Sequence, residues 1–138
     1  MSFGHEKLDV YRLAVLYVSR VFGYSNNLNG LHRHARDQWL RASQSIPLNI
    51  AEGNGKATEP DRRRFFEIAR GSALECAAIQ DVLVAGEALS EMESNELKVD
   101  LDRMVAMLSR LGKRGYAVKE ECNGLDTDTD PDGGSERW

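Results

Sequence analysis

The sequence contains only two cysteines in 138 residues, and it has no run of 18 apolar residues. Cys76 sits in an apolar stretch and Cys122 in a polar one, far apart in the chain. Their placement suggests neither a disulfide framework nor a metal knuckle, and reduced thiols are expected. The missing apolar run leaves no transmembrane helix to draw. The opening residues MSFGHEKLDVYR carry neither the basic start nor the apolar core of a secretory signal, so the cytoplasm is the expected location. Convincing period-two alternation is absent as well, which argues against strands. So are Gly-x-Ser-x-Gly, His-Glu-x-x-His and Cys-x-x-Cys, the short patterns that position a nucleophile, a catalytic zinc or a redox pair.

What is present is a globular composition, 41% hydrophobic and 29% charged, on a chain long enough for one core and one domain. The net charge of −4 is unevenly spread. Residues 115–138 hold Lys119 and Arg137 against Glu120, Glu121, Asp126, Asp128, Asp130, Asp132 and Glu136, a balance of −5 that leaves the remaining body at +1. The acidic character therefore belongs to the C-terminal segment, and the body keeps the option of an anionic partner.

Hydrophobic spacing predicts four helices. Leu8, Tyr11, Val15, Val18 and Phe22 recur at steps of three and four, and Val10, Ala14, Tyr17 and Val21 form a second stripe beside them. Together they cover more than one core-facing side, which points to a helix also buried in an oligomer. Gly23 and SNNLNG are expected to end it. A second helix is predicted from about Leu31 to Glu52, with Leu31, Ala35, Trp39, Ala42, Ile46 and Ile50 inward, Gly53 terminating it and a kink between Ser43 and Pro47. Thr58-Glu-Pro-Asp reads as a capped start for the third, whose stripe is Phe65, Ala69, Ser72, Cys76, Ile79 and Leu83 and which has room to reach Leu89. Ser90 to Glu93 reads as a capping box before Leu97, Leu101, Met104, Leu108 and Leu111, with Gly112 and Gly115 bracketing the end. The expected fold is all-α, an antiparallel up-down four-helix bundle over residues 1–114, followed by an acidic tail over 115–138 with too little apolar surface to order itself.

Few groupings offer chemistry. Gly53-Asn-Gly-Lys-Ala-Thr58 resembles the end of a phosphate loop, but Ile50 and Ala57 stand where that motif needs Gly and Ser or Thr, and no strand precedes it. His32 and His34 would point to different helix faces, and Asp100 and Asp102 fit a solvated exterior. No catalytic, cofactor, metal or small-molecule site is indicated. The candidate site is basic: Arg33, Arg36, Arg41, Lys56, Arg62, Arg63 and Arg64 outnumber Asp37, Glu52, Glu59 and Asp61 between residues 30 and 64. Such a cluster can neutralise nucleic-acid phosphates, or it can be a solvated face with salt bridges at a bundle or subunit boundary. Trp39 can stack on a base, although its place on the apolar stripe favours the core.

The longest specific pattern is Ser45-Ile-Pro-Leu-Asn-Ile-Ala-Glu-Gly53 followed by Phe65-Phe-Glu-Ile-Ala-Arg-Gly-Ser72. It resembles the bacterial four-helix-bundle family whose founding members are encoded in intervening sequences of 23S rRNA genes, over roughly residues 5–112. The resemblance implies a ring-like homopentamer without known catalytic activity and of unsettled role. It also implies kinship with bundles that accompany reverse transcriptases and nucleic acid. Leu40-Arg41 stands where the family often has two arginines, and Gln44 where it usually has an apolar residue. Physically, Ser45, Pro47, Asn49, Glu52, Gly53, Arg70, Gly71 and Ser72 read as a packing motif. In that reading small Gly71 and Ser72 admit the second helix, Asn49 or Ser45 satisfies backbone freed by Pro47, and Glu52 pairs with Arg70. The expected function is a homo-oligomeric assembly module with a protein or nucleic-acid partner; the alternative is a nucleic-acid-binding accessory factor using the arginines.

Overall fold

A computed structural model describes residues 3–122, including side chains except those of Lys7 and 113–122. After a short 3-10 turn at Gly4–Lys7 come α1 (Asp9–Ser25), a second turn at Gly30–His32, α2 (Arg33–Asn54), α3 (Glu59–Ala85) and α4 (Glu91–Cys122). No strand occurs among the described residues. Helices α2 and α3 form the most extensive pair, α3 packs on α4, and α1 lies against α2 and α4, an up-down four-helix bundle. No described helix is long and apolar enough to cross a membrane.

Of the predicted α3 stripe, Ala69, Ser72, Cys76, Ile79 and Leu83 are buried, as are Leu97, Leu101, Met104 and Leu108 of α4, whereas Phe65 is only partly buried and its neighbour Phe66 lies in the core instead. On α1 it is the second stripe, Val10, Ala14, Tyr17 and Val21, that is buried. Within the first stripe Val15 and Phe22 remain 44% and 49% exposed, and Leu16 beside them 55%. Each large apolar side chain fully buried contributes about 1.5–3 kcal/mol, so α1 holds its place through one face and leaves another apolar face uncovered.

Several helix boundaries differ from expectation. Gly23 lies inside α1, Gly53 inside α2, and Gly112 and Gly115 inside α4. An internal glycine costs only about 1 kcal/mol against alanine, less than tertiary packing supplies. Residues 115–122, expected in the tail, are helical; the expectation of disorder for 123–138 lies outside the described residues. Leu31 precedes α2 and is 97% exposed, so it is no core residue. Helix α2 runs unbroken through a buried Pro47. Helix α3 stops at Ala85 instead of nearing Leu89, because Gly86 and Glu87, the latter at φ 60°, turn the chain.

The two predicted caps form. Thr58 Oγ1 accepts from Asp61 N at 3.4 Å. At the α4 start, Ser90 N donates to Glu93 Oε1 at 2.9 Å while Glu93 N donates to Ser90 Oγ at 3.0 Å, satisfying two terminal donors reciprocally.

A chain of buried hydrogen bonds crosses the bundle. Trp39 Nε1 of α2 donates to Tyr17 Oη of α1 at 3.0 Å, and that hydroxyl donates to Gln80 Oε1 of α3 at 2.5 Å. Gln80 Nε2 donates in turn to the Ser94 carbonyl and Oγ of α4, both at 3.1 Å. One polar group from each helix thus meets at the core, where an unpaired partner would cost about 1–3 kcal/mol.

Candidate functional site

The arginine-rich segment divides when folded. Arg33 and Arg36 stand at the start of α2, whereas Lys56 and Arg62 to Arg64 lie past its far end. The intervening 22-residue helix spans about 33 Å, so the seven predicted residues do not form one patch.

Arg36 is spent locally. Its Nη1 donates to the Leu28 carbonyl at 3.1 Å and its Nε to Asp37 Oδ1 at 3.1 Å, tying the α1–α2 connection to α2. Arg33 is exposed. Arg41 lies between the two groups on the outer face of α2, where it lines an open concavity of ≈ 530 Å³ with Gln44, Leu48 and Asn49.

The opposite end gathers charge. Lys56 Nζ is 3.6 Å from Glu52 Oε2 and 5.1 Å from the centre of the Phe65 ring, and the Arg64 guanidinium lies 4.8 Å from the same ring. Phe65 therefore anchors two cations by their attraction to its π face. Arg63 lays its stem along α4, because a methyl group added at Gly112 would stand 3.5 Å from its Cγ. Exposed Arg110 lies two residues before Gly112, about 200° around the helix axis, and so faces another side of α4. The run RLGKRG is visible in the sequence, and antiparallel packing brings its Gly112 to Arg63.

The motif residues act mainly in packing. Ser45 Oγ and Ser72 Oγ meet at 2.8 Å between α2 and α3, and Asn49 Nδ2 donates to the Ser45 carbonyl at 2.8 Å and to its Oγ at 2.9 Å. Asn49 thus serves the Ser45 carbonyl, not the Ser43 carbonyl that Pro47 deprives of its donor. At Gly53 the two helices approach closely: a methyl there would be 2.9 Å from Phe65 Cβ and 3.1 Å from the Arg62 carbonyl oxygen. Gly71 has no such role, since nothing lies within 4 Å of its absent methyl. The expected Glu52–Arg70 pair does not form. Glu52 faces Lys56, while buried Arg70 donates from Nε to Ser109 Oγ of α4 at 2.7 Å. Burial lowers the Arg70 pKa from its usual value, with the Glu67 carboxylate opposing the shift.

Among the described residues no three His, Cys, Asp or Glu side chains gather to hold a metal ion. Burial pushes the Cys76 thiol up to about 12 and raises the Tyr17 hydroxyl above its usual range. Neither supplies a nucleophile at neutral pH.

The family model of the 23S rRNA-intervening sequence protein matches residues 6–110, covering all four helices up to the basic end. The chain belongs to the 23S rRNA-intervening sequence protein family. A search of curated proteins finds no match. Among solved structures, a protein of unknown function from the S23 ribosomal protein family of Bacteroides thetaiotaomicron superposes with a TM-score of 0.70 at 19% identity. The alignment covers 75% of this chain and 98% of that one. This likeness shows the shared fold of a 23S rRNA-intervening sequence protein.

Proposed function

We propose that the protein is a non-enzymatic, homo-oligomeric assembly module, a pentamer by family resemblance, working in the cytoplasm. The observation that carries this reading is the uncovered apolar face of α1, where Val15, Leu16 and Phe22 are each about half exposed. A second copy would remove that surface from water. Light scattering coupled to size exclusion tests it. Five copies of 15.4 kDa correspond to about 77 kDa, and Val15→Glu with Phe22→Glu would shift the mass towards one subunit while leaving the helical spectrum intact. A native mass of 15.4 kDa at micromolar protein would remove this reading.

A second reading, a nucleic-acid-binding accessory factor of the reverse-transcriptase-associated type, is favoured by the basic end. Lys56, Arg62, Arg63 and Arg64 stand together there around the α2–α3 turn and the first turns of α3. Phosphate binding releases counterions, so affinity for single-stranded RNA measured by fluorescence anisotropy would fall steeply between about 50 and 200 mM salt. An affinity that does not change with salt excludes this surface as a phosphate site.

A further inference from the structure

Helix α4 carries the chain past the basic end. Ser109 is bonded to Arg70, and Gly112 lies against the Arg63 stem. From there α4 continues to Cys122, about 15 Å further along its axis. The sequence that follows contains Asp126, Asp128, Asp130, Asp132 and Glu136 against a single base, Arg137. Acids at every second residue of an extended chain repeat a negative charge about every 7 Å, as a nucleic-acid strand repeats its phosphates. An extended segment gains about 3.3–3.6 Å per residue, so Asp128 to Asp132 are within reach of the level of Gly112.

We propose that the acidic stretch from Asp126 to Glu136 docks on the basic end built by Lys56, Arg62, Arg63 and Arg64, and occupies the surface otherwise offered to phosphates. Charge complementarity and the exit of α4 at that end carry the contact. Only its consequence, self-inhibition, rests on the nucleic-acid reading. Tethering replaces encounter in solution with a high effective concentration, so an individually weak electrostatic contact persists until salt screens it or a longer polyanion displaces it. The family match ends at residue 110, so the acidic stretch lies outside the matched region.

The test uses the full chain and a variant with Asp126, Asp128, Asp130 and Asp132 changed to Asn and Glu136→Gln. A carbodiimide, which couples carboxylates to neighbouring amines, reads the contact by mass spectrometry. Links from the acidic stretch to Lys56 are expected at about 50 mM salt and lost at about 500 mM. Anisotropy with an oligouridine of about 20 nucleotides reads the consequence: the neutral-tail variant binds at least about tenfold more tightly. Adding Lys56→Gln and Arg64→Gln, neither of them buried, abolishes that gain without disturbing the core. Links to Lys56 with no RNA binding by any variant support the docking and remove the nucleic-acid reading. No links to Lys56 at low salt, or links insensitive to salt, overturn the proposal; tighter binding in that case reflects general repulsion by the tail.

Discussion

Two glycines in one motif have opposite meanings. At Gly53 a methyl would collide with Phe65 and the Arg62 carbonyl, whereas at Gly71 it would meet nothing. Gly53→Ala is therefore expected to destabilise the bundle by about 1–3 kcal/mol, the usual cost of overpacking. Gly71→Ala is expected to stabilise it by about 0.5–1 kcal/mol through helix propensity. Urea titrations of both variants give the comparison, and equal signs would show that α2 and α3 do not meet at Gly53. Tyr17→Phe is a sharper probe of the interior, because it removes one oxygen and leaves both Trp39 Nε1 and Gln80 Oε1 without their partner. A loss of about 2–4 kcal/mol is expected from two deprived groups, measured as the shift in denaturation midpoint. Sequence reading placed Trp39 in the core correctly but gave no sign of this chain, since Gln80 and Ser94 look like ordinary polar residues until the helices meet.

At the scale of the element, spacing was most legible where one stripe stood alone. In α4 Leu97 and Leu101 stand between polar neighbours and marked the core, and Met104 and Leu108 continue their steps of three and four. Helix α1 carries two apolar stripes, and periodicity cannot say which faces inward; the packing against α2 and α4 decides it. Ends were legible where side chains cap them and illegible where glycine was the only cue. The reciprocal Ser90–Glu93 bonds show the first case, and Ser90→Ala is expected to cost about 1 kcal/mol. Thermal melting monitored by circular dichroism checks this, and an unchanged midpoint would mean that the α3–α4 turn holds without its cap.

Over the whole molecule, the distribution of charge was the least legible property. The sequence shows a cluster between residues 30 and 64, but α2 sets Arg33 and Arg36 at one end of the bundle and Lys56 and Arg62 to Arg64 at the other, with Arg41 between them. Burial of acidic protons also acts at this scale. Native Cys76 holds its proton up to about 12, against 9.0 for an ordinary thiol. Tyr17 is likewise raised by burial. Above about pH 9 the unfolded chain therefore binds fewer protons than the folded one, so stability falls as pH rises from there towards about 12. Melting temperatures measured from pH 7 upwards are expected to be level and then decline, with Cys76→Ala flattening the early part of the decline.

The Trp39–Tyr17–Gln80–Ser94 chain also bears on how the bundle is assembled in time. A three-helix intermediate would bury at least one of these groups without its partner, so partly built states are penalised and the four helices close together. The indole proton of Trp39 is then expected to exchange with deuterated solvent only through global unfolding. Its protection would equal the full stability of the fold, a clock for opening of the entire molecule and not of α2 alone.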